Sequence, residues 1–307
     1  MSPAIDAAIL RTLKGIEMTT DCLGTQKEDS FADFTSYVNS TIEDCIRERR
    51  DSSDTLAKHF VEYVDGGLQT RESSAAFEIK FITVSASGTV LQCLVRLVWS
   101  LVSRNRTVKL SILESRPNFE GASFANALLN ALEKSTGAGI VSEKGVELLR
   151  MNLRIEIVSD ASVAMVVKDA DYLLLGADKV LPTGDTNNKI GSLTAAVMAT
   201  TLNPRCRVVS VFDTDKISGD ANDPAHFQAE YNDETEIIRS WPWKIKTDFA
   251  DKRDQGYKID VKNAYFEWVP WKYIDCHISE KGVLAVEDIK RLSLERAALE
   301  RKIFGDL

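Results

Sequence analysis

The sequence predicts an α/β protein in which a small helical N-terminal domain precedes a mainly parallel sheet with helices on both faces. Three observations carry this reading. The apolar period changes along the chain: from Ser2 to about Ser74, apolar residues recur at three- and four-residue steps in AIDAAILRTLKGIEM, SFADFTSYVNSTIEDCIRERR and SDTLAKHFVEYVDGG, which predicts three packed helices. From Phe77 onward, runs rich in β-formers alternate with helical stripes. FEIKFITV is followed by TVLQCLVRLVWSLVSR, RTVKLSIL by a helix starting near Ala122, and LRIEIV by a helix after Asp160 as a plausible N-cap. Each short strand also ends in a polar turn leading to a helix start, the order that builds doubly wound sheets. With 307 residues, 44% hydrophobic, the chain can bury a substantial core. The expected division is a helical domain over 1–75 and an α/β domain over 76–307, with the polar stretch 218–257 as an insertion or lid.

Composition narrows the function. A formal charge of −8 and a pI near 5.1 argue against nucleic acid as a partner. No apolar run is long enough to span a membrane, and the start MSPAIDAAIL lacks the basic region and long apolar core of a secretory signal, so a cytoplasmic protein is expected. Cys22, Cys45, Cys93, Cys206 and Cys276 are scattered without metal-ligand spacing, and three histidines add no zinc pattern; reduced thiols and no metal are expected. No G-x-G-x-x-G follows the first strand, which removes the usual signal for a dinucleotide, and no cofactor is expected.

The centre of the chemistry is Asp171 to Ala196, DYLLLGADKVLPTGDTNNKIGSLTAA. Tyr172 to Leu175 reads as a buried strand broken by Gly176, and the turn-rich LPTGDTNN reads as a loop into a helix opening near Asn188. Asp178 then stands at the strand exit and Asn188 with Lys189 at the helix entry, Lys189 as a surface ammonium. Ligands bind at the carboxyl ends of parallel strands, and a helix start favours anions. An acid facing an amide and an ammonium suits a phosphorylated polyol. Arg116, at another strand exit, is a further phosphate or hydroxyl ligand, or else a structural tie to Glu114 or Asp178. The cluster Arg47, Arg49 and Arg50 is flanked by Glu48 and Asp51, reads as a solvated helix face, and is assigned no function. Cys93, two turns into an apolar helix stripe, reads as a buried inert thiol, and His277 as a packing residue. Trp241 and Trp243 read as packed against the domain or, less favourably, as a contact surface.

Several of these segments resemble one family. GAD-K-V, Gly184 and N-K-I-G-S at Asn188 to Ser192, ESRPNFEG at Glu114 to Gly121, and ITVSASGTVLQCL at Ile82 to Leu94 are similar in order and spacing to the family of the alpha, beta and delta subunits of translation initiation factor 2B. That family also contains methylthioribose-1-phosphate isomerase and ribose-1,5-bisphosphate isomerase. Asn263, Phe266, Glu267, Pro270, Glu280 and Gly282 match its closing segment, where they read as structural, and Glu267 is given no catalytic role. The resemblance runs from Phe77 to Leu292; the arginine-glycine-alanine type loop usual in the family's N-terminal region is not found. It implies a Rossmann-like domain, dimerisation through the C-terminal part, possible sister subunits of the initiation factor 2B type, and a phosphorylated small molecule as ligand. It further implies ligand contacts at Ser87 and Lys216, with Asp213 and Asp215 as unusual acidic company, and it places Ser85 where the isomerases carry a catalytic cysteine. A hydroxyl with no neighbouring base cannot be tuned into a proton-transfer group as a thiol can. The sequence therefore ranks an initiation factor 2B-like, non-catalytic sugar-phosphate-binding protein first. The alternative is an aldose-ketose isomerase acting on ribose-1,5-bisphosphate or methylthioribose-1-phosphate, in which Asp178 shuttles protons while Asn188 and Lys189 hold a phosphate.

Overall fold

The structure, a computed structural model, describes residues 7–10, 12–14, 31–70, 78–84, 86–134, 143–219 and 230–305. Six parallel strands form the main sheet: β1 (Glu78–Val84), β2 (Thr107–Leu113), β3 (Leu153–Val158), β4 (Tyr172–Leu175), β7 (Arg207–Val211) and β11 (Cys276–Ser279). Antiparallel β12 (Gly282–Leu284) closes one edge, and the spatial order is β12-β11-β7-β4-β1-β2-β3. Counting only the parallel strands, this is the 3-2-1-4-5-6 order of the Rossmann fold. From β1 the chain moves to β2 on one side, and from β4 to β7 on the other, so the order reverses between β1 and β4. That reversal positions the site.

Helices cover both faces. The β1 pattern alternates, so Phe81 faces one layer and Ile82 the other. On the first face α2 (Gly88–Val102), α3 (Glu120–Lys134) and α4 (Glu143–Asn152) bury Leu94, Leu97, Leu128 and Leu149 against Phe81, Leu110 and Leu174. On the second, the short α5 (Val163–Val166) and α6 (Ser192–Leu202) pack Val163, Ala195, Ala196 and Ala199 against Ile82, Leu173 and Val208. Asp160 does not cap α5: its carboxylate accepts the backbone N–H groups of Ser115 and Arg116 at 2.9 and 2.8 Å and so braces the turn after β2.

The helical N-terminal part differs from expectation. The two segments predicted over 30–50 and 53–67 are one helix, α1 (Phe31–Thr70), because the polar link between them contains neither Gly nor Pro to break it, and Thr55 simply bonds back to the Asp51 carbonyl. Its second half buries Leu56, Ala57, Phe60 and Val64 in the same core as β1 and α2, and His59 Nδ1 meets the Ser279 carbonyl of β11 at 3.0 Å.

Two further departures concern the loops. The stretch expected as a plain loop after β4 forms β5 (Lys179–Val180) and β6 (Thr186–Lys189), which join β10 (Phe266–Val269) in a three-stranded antiparallel sheet. From the expected insertion, β8 (Tyr231–Asn232) pairs β9 (Asn263–Ala264) beyond its end, and α7 (Thr235–Arg239) and α8 (Trp243–Asp254) lie between them. Trp241 packs edge-on against Phe249, but Trp243 is 80% exposed, contrary to the packed role expected of it. At the end of the chain α9 (Val286–Phe304) buries Ile289 and Leu292 beside Phe212 and Ile217. Among the described residues no helix is long and apolar enough to cross a membrane.

Candidate functional site

A crevice of about 730 Å³ opens where the strand order reverses. Its walls come from the segments that follow β1 and β4, from β6, from the exit of β7 and from α1. Ser87, Asp178, Asn188, Lys189 and Lys216, five residues scattered over 130 positions of the chain, line it together. Ser85 lies outside the described residues.

Each is placed by local structure. Ser87 is the N-cap of α2, its hydroxyl accepting the Val90 N–H at 3.3 Å. Asp178 leaves β4 two residues past Gly176, where a side chain would collide with the Ser87 hydroxyl. The Asp178 N–H donates to the Asn187 carbonyl at 2.8 Å, so the acid is pinned to β6. Its side chain keeps 48% of its surface, yet the carboxyl sits low enough that burial, ahead of the attraction of Lys216 and Lys189, raises its pKa from the ordinary value. Lys216 faces it from the turn after β7, Nζ to Oδ1 4.0 Å.

Asn188 and Lys189 are on a strand rather than at a helix entry. Helix α6 starts three residues later, after Gly191 in the left-handed region at φ 100°. The open N–H groups of Gly191 and Leu193 are taken by the Glu267 carboxylate at 2.6 and 3.0 Å, so the α6 terminus is closed by a protein group. Glu267 is thus structural, as its sequence context suggested, and burial raises its pKa. Asn188 is buried and donates to the Ser192 hydroxyl at 2.9 Å. Lys189 is no surface ammonium: its side chain is 4% exposed, pairs with Glu120 at 2.8 Å and lies 4.4 Å over the Tyr265 ring. Tyr265 in turn donates to Glu236 and accepts from Asn118, tying this part of the crevice wall to α7 and to the turn after β2.

Arg116 is not among the lining residues. Its guanidinium lies 4.7 Å over Phe119 and donates to Ser240 at 3.0 Å, so it ties the turn after β2 to α7 rather than to Glu114 or Asp178. The sequence reading missed Glu120, Tyr265 and, above all, Arg49, which reaches the crevice from α1 with Ser53 one turn on. The four-residue spacing of Arg49 and Ser53 was visible in the sequence, but which face of the helix meets the sheet was not. Cys93 is buried with its pKa driven up by burial, and His277 is buried against the Gly184 carbonyl at 2.9 Å with its pKa lowered by burial; both are packing residues.

The fold and the crevice define a Rossmann-like α/β protein with an acid, an amide and ammonium groups at the switch point of its sheet. Residues 142–286 match the model of the Initiation factor 2 subunit family, and the chain is also similar to curated ribose-1,5-bisphosphate and methylthioribose-1-phosphate isomerases. It is 27% identical over 160 residues to ribose 1,5-bisphosphate isomerase of Haloterrigena turkmenica, covering 52% of this chain and 46% of that enzyme. It is 31% identical over 143 residues to methylthioribose-1-phosphate isomerase of Bacillus cereus, covering 45% and 36%. The chain thus aligns with less than half the length of these relatives. In fold it is similar to 5-methylthioribose 1-phosphate isomerase of Pyrococcus horikoshii, with a TM-score of 0.58 at 18% identity over 92% of this chain and 68% of that one. It is also similar to a chain of the tetrameric eIF2B beta2-delta2 complex of C. thermophilum, with a TM-score of 0.55 at 14% identity over 96% and 74%.

Proposed function

We propose that the crevice binds a phosphorylated sugar and that the protein is an aldose-ketose isomerase acting on a pentose phosphate. The observation that carries this is Asp178, half-exposed in the crevice with a raised pKa and facing Lys216 at 4.0 Å. A carboxyl whose pKa moves toward neutrality can both accept and return a proton. The curated relatives named above support the isomerase over the regulatory reading that the sequence ranked first, since both carry isomerase names. The net reaction transfers hydrogen from C2 to C1 of the sugar and the hydroxyl proton at O2 to the ring oxygen. Asp178 is suited to the oxygen-to-oxygen part, with Ser87, Asn188 and Lys216 orienting the ligand.

The regulatory reading stays as the second, on one observation: Ser85 stands where the resemblance implies a cysteine. Following the anomeric proton by NMR with methylthioribose-1-phosphate and ribose-1,5-bisphosphate separates the two. The isomerase reading expects turnover by the wild type, lost in Asp178→Asn while ligand binding persists. Binding without turnover, with activity appearing only in Ser85→Cys, would establish the regulatory reading instead. We further propose a homodimer; light scattering should give about twice 34.1 kDa, and a concentration-independent monomer would contradict it.

A further inference from the structure

The described crevice carries three cations, Arg49, Lys189 and Lys216, and three carboxylates, Glu120, Asp178 and Asp213, so its formal charge is zero. The cations are not equivalent. Lys189 is almost wholly buried, neutralised by Glu120 at 2.8 Å and covered by the Tyr265 ring. Lys216 faces Asp178. Arg49 is exposed and forms no ion pair with any described residue, whereas its neighbour Arg47 is turned onto Asp44 along the helix. The position of Arg49 is set from below, because Ser52 on the next turn donates to Asp213 Oδ1 at 3.3 Å and anchors α1 to the exit of β7.

A phosphate monoester carries about −1.5 to −2 at pH 7, and a guanidinium fork holds it through two parallel hydrogen bonds. Without Arg49 the lining residues sum to −1, so the Arg49 guanidinium, unpaired among the described residues, has the fork to hold one such group. It does not hold two. We propose that Arg49 grips the phosphate of a singly phosphorylated pentose, and that the Glu120–Lys189 pair makes the crevice select against a bisphosphate. This rests on the sugar-phosphate reading and adds to it the number of phosphates and the residue that holds one.

The test is calorimetric titration of the full chain with methylthioribose-1-phosphate and ribose-1,5-bisphosphate at low ionic strength. The wild type should bind the monophosphate at least about tenfold more tightly than the bisphosphate, the scale of one lost charged hydrogen bond. Arg49→Gln should weaken the monophosphate by at least as much, with its melting temperature unchanged, and Arg47→Ala should leave affinity as it was. Glu120→Gln should narrow the preference, because it uncovers the Lys189 ammonium for a second phosphate. Equal or tighter binding of the bisphosphate, an unaltered affinity in Arg49→Gln, or equal losses in Arg49→Gln and Arg47→Ala would overturn the assignment. Failure of the wild type to bind either sugar would remove the function on which it rests, a result distinct from all of these.

Discussion

The Lys189 ammonium lies 2.8 Å from the Glu120 carboxylate, a strand residue and a helix residue 69 positions apart locked together at the crevice wall. Removing one partner of a buried pair leaves the other charge uncompensated. Glu120 keeps 30% of its surface, so solvent recovers part of that cost. Lys189→Ala should therefore lose about 1–3 kcal/mol of stability in urea denaturation, and the double variant Lys189→Met with Glu120→Gln clearly less. A single variant as stable as the wild type would show that the pair contributes nothing to folding.

Asp178 makes a pH signature. Burial holds its folded pKa above the ordinary 3.8, so the stability it contributes is fully present below that value and is lost as pH rises through the folded pKa. Asp178→Asn cannot lose it. At pH 7 the variant should melt at or slightly above the wild type, within about 0.5 kcal/mol for so exposed a group, and the two should converge in acid. A lower melting temperature for the variant at pH 7 would mean that the two lysines outweigh burial.

Gly121 closes the E-S-R-P turn onto α3. A Cβ there would sit 1.9 Å from the Leu113 carbonyl oxygen at the end of β2. Backbone must move to admit it, so Gly121→Ala should cost at least about 3 kcal/mol, read from the denaturation midpoint. Near-wild-type stability would show that the turn is slack.

Glu267 caps α6 from a distant strand. Glu267→Ala should cost about 1–2 kcal/mol and speed hydrogen exchange at the Gly191 and Leu193 amides, while Glu267→Gln, which keeps an acceptor oxygen, should lose much less. Unchanged exchange at both amides in Glu267→Ala would contradict the capping role.

What the sequence revealed followed from local pattern. The strand Tyr172–Leu175 is apolar throughout because helices cover both its faces, and Asp178 beyond Gly176 reads as a strand exit on that account alone. What it concealed depended on distant partners. Thr186 to Lys189 is a polar quartet with no strand alternation; it becomes a strand because β10, some eighty residues on, pairs with it. The same pairing shifts the helix start from Asn188 to Ser192 and turns Lys189 inward. Arg116 and Arg49 exchanged expectations for a similar reason. A side chain's target across a crevice is decided by which elements pack there, and no short-range pattern encodes that.

The long helix Phe31–Thr70 shares one core with the sheet, Leu56, Phe60 and Val64 filling the layer beside α2. A cut between that helix and β1 therefore divides a shared core. A fragment starting at Glu78 would bear an uncovered apolar trough in place of those side chains, and would also be stripped of Arg49. Inheritance of the crevice and of the helix that overhangs it is in this sense a single event: neither can be transplanted to another scaffold without the other.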